Sequence, residues 1–212
     1  MRRVTSILLA MMLMVVGVTG CGKSTTGSTV QSGSSSSSDT SAQIGSLKGK
    51  IYAEINIKDY GIIKVELDAD SAPITVNNFV KLVNEGFYDG LTFHRIIEGF
   101  MMQGGDPMGN GTGGSDETIK GEFSENGVRN DISHERGTLS MARSADPDSG
   151  SSQFFIVHQD STYLDGQYAG FGKVIEGMEV VDKICTDVPV KDDNGTVDVE
   201  FQPVIVNIKI VQ

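Results

Sequence analysis

An arginine and a glutamine stand among apolar side chains in the stretch 93–106, where they could act on a bound ligand. The stretch reads FHRIIEGFMMQGGD, and its β-branched and aromatic residues predict two short strands separated by a glycine turn. Because side chains alternate between the two faces of a strand, we expect Arg95 to share a face with Phe93, and Gln103 with Met101. The sequence therefore predicts a cation and an amide within an apolar strand surface.

This pattern has two interpretations. Arg95 and Gln103 could form a functional site on the surface of a sheet. Alternatively, Arg95 extends from the rim of a barrel with only its aliphatic stem buried, and Gln103 merely hydrogen-bonds a loop. Spacing alone does not decide between them.

The rest of the folded region supplies short strands and two helices. Alternation predicts a β-hairpin from segments 51–57 and 62–67, followed by a helix that begins near Pro73 and ends near Gly86. Later segments predict strands at 137–142, 152–157, 171–175 and 204–211 and a short helix at 178–185. In the last strand we expect one apolar face formed by Val204, Val206, Ile208 and Ile210. Many short strands with two helices predict a β-barrel.

The composition argues against several classes of function. The chain has 212 residues and a formal net charge of -11 at pH 7, whereas binding to nucleic acid or to anionic lipid depends on clustered Lys and Arg. Only two Cys are present, so no disulfide framework is predicted. Cys185 falls on an apolar helix face, where we expect an inert core residue. No nucleic-acid partner is expected.

Local signatures of metal and cofactor sites are missing from the sequence. The three His, at positions 94, 134 and 158, are too scattered for a motif such as H-E-x-x-H, although a fold could still bring them together. Segment 109–114 contains a formal G-x-G-x-x-G, but acidic residues follow it where a dinucleotide site needs an amphipathic helix. We expect a tight loop that lets a peptide approach the backbone, with no metal and no cofactor.

The beginning of the chain predicts export and a lipid anchor. Two arginines and an apolar run too short for a comfortable membrane span predict a signal peptide over residues 1–20. The sequence VTGC at 18–21 resembles the lipobox of bacterial lipoproteins, which implies a lipid on Cys21. The alternative is an ordinary secretory signal with a chance Cys.

A Ser-, Thr- and Gly-rich segment follows the predicted anchor. Residues 21–47 contain almost no large apolar side chains and predict a disordered tether, and residues 48–212 predict the folded domain. We therefore expect the protein in the cell envelope, lipid-anchored to a membrane on its extracytoplasmic side.

Five motifs occur in order along the folded region. They are the stretch 93–106, GTGG at 111–114, GTLSMA at 137–142, SQFFI at 152–156, and LDG at 164–166 with FGKV at 171–174. Together they resemble the cyclophilin family of peptidyl-prolyl cis-trans isomerases, from about residue 50 to the C-terminus. The resemblance implies a mainly β fold, a closed eight-stranded antiparallel β-barrel capped by two α-helices, with the active groove on its outer surface.

The resemblance also implies a function and a set of site residues. The chain is expected to catalyse rotation about X-Pro peptide bonds and to assist the folding of exported proteins. Arg95 matches the catalytic position, and Gln103 matches a position that binds substrate backbone. The positions that bind the proline ring are Phe100, Met101, Phe155 and Leu164. The other positions along the groove are His94, Ala142, Arg143, Gln153, Tyr163 and Tyr168, with the nearby loop Gly111, Thr112, Gly113 and Gly114.

Three positions depart from the best-known cyclosporin-sensitive members of the family. Tyr163 stands where they have Trp, which implies weak cyclosporin binding. Tyr168 stands where they have His and Arg143 where they have Asn, which implies a different preference for the residues flanking proline. We expect a monomer that binds proline-containing peptides and unfolded exported proteins and reaches the membrane through the lipid on Cys21.

Two other functions remain open from the sequence. A proline-peptide-binding chaperone, or holdase, would keep the groove but turn over little substrate. A solute-binding lipoprotein would fit the signal and the tether, but not a single small barrel domain.

Overall fold

The computed structural model describes residues 47–211. Within this range the chain forms eight strands and two α-helices, in agreement with the prediction. The strands are β1 Lys50–Ile57, β2 Gly61–Asp68, β3 Thr92–Ile97, β4 Met101–Asp106, β5 Thr138–Met141, β6 Phe154–Val157, β7 Ala169–Glu176 and β8 Ile205–Val211, and the helices are α1 Pro73–Asn84 and α2 Met178–Asp187. Neither of these helices is long and apolar enough to span a membrane. The predicted signal peptide, Cys21 and the tether up to residue 46 lie outside the described residues.

All eight strands belong to one antiparallel sheet, in the order β3-β4-β6-β5-β7-β2-β1-β8. The mainly β prediction is confirmed, but the sheet is open between its edge strands β3 and β8, where closure was expected. Between these edges lies one isolated bridge, of Thr92 with Val204, and backbone hydrogen bonds join residues 90–93 to residues 203–205. The outer edge of β3 pairs instead with residues 195–197, through backbone bonds at Ile96 and Val197. Because that edge is already occupied, β8 cannot extend a continuous ladder along it.

Register irregularities in two strands change which side chains face the core. In β3 the pairing with β4 shifts on both sides of Phe93, so Phe93 and Ile96 are both fully buried while Arg95 lies on the opposite face. The prediction that Arg95 shares a face with Phe93 is therefore wrong. In β8 a shift leaves Val206 43% exposed and Ile205 fully buried, so the predicted apolar face that included Val206 is also wrong. An extra residue in one strand makes the two-residue alternation slip.

The core lies between the inner face of the sheet and the two helices. Phe79 of α1 is its centre, with ring centroids 5.1 Å from Tyr88, 5.5 Å from Phe154 and 5.3 Å from Phe171. Aromatic pairs at such distances add to the free energy gained by burying their area. Cys185 of α2 is buried in the same core, and burial raises the pKa of its thiol to about 12. A thiol of that kind is a poor nucleophile, as expected from the sequence.

Candidate active site

A second apolar cluster, separate from the core, lies on the outer face of the sheet. Neighbouring strands β4 and β6 place Met101 opposite Val157 and Gln103 opposite Phe155. These side chains share the outer face because the alternate residues of both strands, such as Met102, point into the core. The outer apolar cluster consists of Met101, Phe155, Val157 and Leu164, with Ile97, Phe100, Ala142 and Tyr168 packed against it. The sequence-predicted proline-binding residues are therefore brought together.

Arg95 lies at the edge of the outer apolar cluster. Its Nη1 is 4.0 Å from the Met101 sulfur and donates to Gln103 Oε1 at 3.4 Å. Its Nε donates to the backbone oxygen of Asn194 at 2.8 Å. Within residues 47–211, Arg95 makes no ion pair and its Nη2 makes no hydrogen bond to the protein. The guanidinium is thus oriented by neutral acceptors and keeps donors for a ligand.

A chain of side-chain amides continues from Arg95. Gln103 Nε2 donates to Gln153 Oε1 at 2.8 Å, and Gln153 Nε2 donates to the backbone oxygen of Gly113 at 2.7 Å. Each amide has both a donor and an acceptor, so the chain fixes the orientation of both groups. Arg95, two strands and the glycine loop are thereby linked along one side of the cluster.

The glycine loop, residues 109–114, is shaped by a buried carboxylate. Asp106 is 1% exposed and accepts backbone N–H groups of Met108 at 2.8 Å, Asn110 at 3.0 Å and Gly111 at 2.6 Å. Burial alone raises the pKa of Asp106, but these backbone donors outweigh burial and hold the pKa below its usual value. A Cβ on Gly113 would collide with the same carboxylate. The tight loop predicted here is therefore built around one ionised side chain.

His94 lies beneath this loop and not on the groove surface. It is 4% exposed, and a Cβ on Gly111 would come within 3.5 Å of its Nε2. Neither ring nitrogen has a hydrogen-bond partner in the described part of the chain. Burial lowers the pKa of His94, and the nearby Arg95 acts in the same direction while Asp106 opposes it. The structure therefore does not bring this ring to the residues of the outer apolar cluster.

A fully buried histidine, which the sequence analysis did not select, supports Phe155 from behind. The ring of His134 stacks on Phe155 with centroids 6.1 Å apart and an interplanar angle of 21°. Its Nδ1 is 2.8 Å from Asp165 Oδ1, and its Nε2 is 2.8 Å from Ser140 Oγ. Burial lowers the pKa of His134, although its partner Asp165 acts in the opposite direction. A neutral ring, hydrogen-bonded through both of its nitrogens, thus holds Phe155 in place.

Ser140, His134 and Asp165 form a serine–histidine–carboxylate arrangement, which also occurs at the active sites of hydrolases. Ser140 is 0% exposed, so its hydroxyl cannot reach a substrate carbonyl, which a hydrolytic nucleophile must do. His134 and Asp165 are 31 positions apart, and no local motif could have connected them. We interpret the group as a support for the site.

A polar pocket of about 380 Å³ adjoins the outer apolar cluster across Gln103 and Gln153. Its lining includes Ala142, Arg143 and the loop residues Gly111, Thr112, Gly113 and Gly114. The Arg143 guanidinium lies 4.7 Å from the Tyr168 ring centroid, and its Nε donates to the backbone oxygen of Gln167 at 3.0 Å. Cation–π contact keeps this cation over Tyr168 between the two parts of the site.

Tyr163 forms the exposed end of the site. Its side chain is 64% exposed, and its ring centroid is 6.1 Å from that of Phe100. Apart from His94, the predicted site residues lie in the outer apolar cluster, at its edge, or in the lining of the polar pocket that adjoins it.

Comparison with known proteins identifies the family of the chain. The sequence model of the family described as cyclophilin type peptidyl-prolyl cis-trans isomerase/CLD matches residues 52–210. The chain therefore belongs to the cyclophilin-type peptidyl-prolyl cis-trans isomerases, and its predicted function as such an isomerase is confirmed.

Relatives and solved structures support the same assignment. The chain is 54% identical over 123 residues to peptidyl-prolyl cis-trans isomerase B of Bacillus subtilis, covering 58% of this chain and 82% of that protein. It is 49% identical over 135 residues to a peptidyl-prolyl cis-trans isomerase of Helicobacter pylori, covering 63% and 79%. A cyclophilin type isomerase of Cryptosporidium parvum, crystallised in the presence of the dipeptide Ala-Pro, matches with a TM-score of 0.67 and 32% identity, covering 76% of this chain and 99% of that one.

Proposed function

We propose that Arg95 is the catalytic residue of this isomerase and that the outer apolar cluster, with Phe100, binds the proline ring. The observation that carries the proposal is the placement of an oriented guanidinium, without an ion pair in residues 47–211, at the edge of an apolar surface. The neighbour crystallised in the presence of a proline dipeptide supports a proline-containing substrate.

The reaction needs no covalent step. Rotation about an X-Pro bond breaks amide resonance, with a barrier of about 18–20 kcal/mol. In the twisted amide the proline nitrogen regains a lone pair, and a guanidinium N–H of Arg95 can donate to it. A catalyst therefore has to bind the twisted amide more tightly than either planar form.

The surrounding residues assist this step in two ways. The apolar cluster excludes water, which strengthens a charged hydrogen bond to the twisted amide. Gln103 can hold substrate backbone on one side of the bond while the other side rotates, because its amide both donates and accepts. Gln153 and the glycine loop keep that amide in place.

Arg95→Ala and Arg95→Lys test the catalytic role. We expect Arg95→Ala to lose about 100-fold in kcat/KM, as for removal of one charge-stabilising donor. The lysine variant should recover little, because an ammonium lacks the planar fork that reaches Asn194 and the substrate together. A protease-coupled proline-peptide assay measures activity, and circular dichroism checks the fold. Wild-type activity in the alanine variant would remove Arg95 from the mechanism.

The comparisons favour an isomerase over the holdase alternative. We further propose exported proteins as clients and a lipid on Cys21 as the membrane anchor; the signal-like residues 1–20 and the lipobox-like sequence support both. Cys21→Ser is expected to release the protein from the membrane fraction. Persistent membrane association of that variant would point to another anchor.

Three finer expectations also remain proposals. We propose that the sheet closes into a barrel in solution through the short contact of residues 90–93 with residues 203–205, and not through a continuous ladder of β3 with β8. We also propose that the chain is a monomer and that it binds cyclosporin weakly. Hydrogen exchange of the amides around the bridge, sedimentation and a cyclosporin titration test them in turn.

A further inference from the structure

The turn between β3 and β4 carries Phe100 to the outer apolar cluster. Gly99 occupies this turn with φ +79 and is exposed to solvent. Its N–H nevertheless donates to Nδ1 of His158 at 2.8 Å, and the backbone oxygen of Phe100 accepts the N–H of His158 at 2.8 Å. One residue, directly after β6, therefore hydrogen-bonds the backbone at both ends of the Gly99–Phe100 dipeptide.

The His158 ring is itself held from its other side. It is 7% exposed, and its Nε2 is 3.2 Å from Asp182 Oδ1 on α2. Arg136 Nη2 donates to Asp182 Oδ2 at 2.8 Å, and Arg136 Nη1 donates to the backbone oxygen of His158 at 2.8 Å. Because Nδ1 accepts from Gly99, we assign the ring proton to Nε2, where it faces the carboxylate. The ring thus connects α2 to the turn.

We propose that His158 is a positioning residue for the isomerase reaction, because its Nδ1 holds Gly99 and thereby keeps Phe100 against the proline-binding surface. The proposal rests on the proposed function, which assigns proline binding to the outer apolar cluster. Phe100 is only partly buried and packs at the margin of that cluster, so local packing alone constrains it weakly. A binding residue held by a supporting hydrogen bond loses less side-chain and backbone freedom when substrate arrives.

Two amide substitutions separate the hydrogen bond of the ring with Gly99 from its contact with Asp182. In His158→Asn the side-chain oxygen is attached to Cγ, as Nδ1 is, so it can accept from Gly99. In His158→Gln the amide lies one bond further out, near Nε2, so it can reach Asp182 and leaves Gly99 without its acceptor. Neither variant introduces a charge, and each retains one of the two contacts.

We expect His158→Gln to lose about tenfold in kcat/KM, mainly through a higher KM, because a loosened proline-binding surface weakens ground-state and transition-state binding alike. His158→Asn is expected to stay within about threefold of wild type, since it restores the acceptor. A proline-peptide isomerase assay gives the kinetic constants, and thermal unfolding of the intact chain compares the folds. Wild-type kinetics in His158→Gln, or equal losses in both variants at equal thermal midpoints, would overturn the positioning role.

Two further measurements distinguish a failure of the His158 proposal from misfolding of a variant and from a failure of the Arg95 proposal. Hydrogen exchange of the wild-type Gly99 amide should be slow despite its exposed position, and exchange at the rate of an unstructured glycine would overturn the proposal even if a variant failed to fold. Arg95→Ala, assayed in parallel, tests the catalytic proposal alone. Full activity of that variant would refute the role of Arg95, whereas full activity of His158→Gln would refute only the support of Phe100.

Discussion

The start of helix α1 depends on an acceptor from a distant part of the chain. Ala72 precedes the helix and has no side chain that could cap it. Instead, the buried carboxylate of Glu122 accepts N–H groups of Ile74 at 3.0 Å and Thr75 at 2.7 Å, and the Thr75 hydroxyl at 2.7 Å. Replacing Glu122 with alanine is therefore expected to destabilise the whole domain through α1.

The structure sets the size of the effect. Ile74 is 42% exposed, so water can replace the acceptor at its N–H, whereas Thr75 is fully buried and would keep two unsatisfied donors. An unsatisfied buried donor costs about 1–3 kcal/mol, so we expect a loss of about 3 kcal/mol in the free energy of unfolding. For a domain of this size that corresponds to a fall in Tm of about 6–12 °C.

Thermal and urea unfolding measure this prediction, with two matched variants. Glu122→Gln keeps an acceptor oxygen and should lose less than half as much stability. Glu125→Ala should change little, because Glu125 is exposed and its side chain makes no hydrogen bond within residues 47–211. A fall in Tm below about 2 °C for Glu122→Ala would show that solvent satisfies these donors and would refute the capping argument.

Three further predictions concern pH, the glycine loop and cyclosporin. Burial lowers the pKa of His94 and His134 in the folded chain. As the pH falls below about 6.5, these histidines therefore bind protons more readily in the unfolded chain than in the folded chain, so Tm should fall from pH 7 to pH 5. His94→Leu should reduce that slope, and an unchanged slope would contradict the assignment. Gly113→Ala should cost about 2 kcal/mol in urea unfolding, since its Cβ meets the Asp106 carboxylate; wild-type stability would show that the loop adapts. Tyr163→Trp should tighten cyclosporin binding, reported by the introduced indole in a chain without Trp, and an unchanged affinity would contradict the expectation.

Local patterns determined much of this protein. Alternation of apolar residues predicted the hairpin of β1 and β2, and Pro73 and Gly86 predicted the extent of α1. The mixture of Arg95 and Gln103 with apolar neighbours indicated β3 and β4 as the strands beside the outer apolar cluster. These features depend on residues a few positions apart, so they can be predicted without knowledge of the fold.

Long-range contacts decided the rest. Register shifts in β3 and β8 depend on their partner strands, so alternation placed Phe93 and Val206 on the wrong faces. Glu122 caps a helix 47 positions earlier, and His158 reaches a turn 59 positions earlier. Partners so far apart leave no periodic signal in the chain, because only the pairing of the strands and the packing of the helices bring their polar atoms within hydrogen-bond distance. The sequence by itself thus determined the secondary-structure elements and the strands that carry Arg95 and Gln103, and tertiary packing decided how the residues around them are held in place.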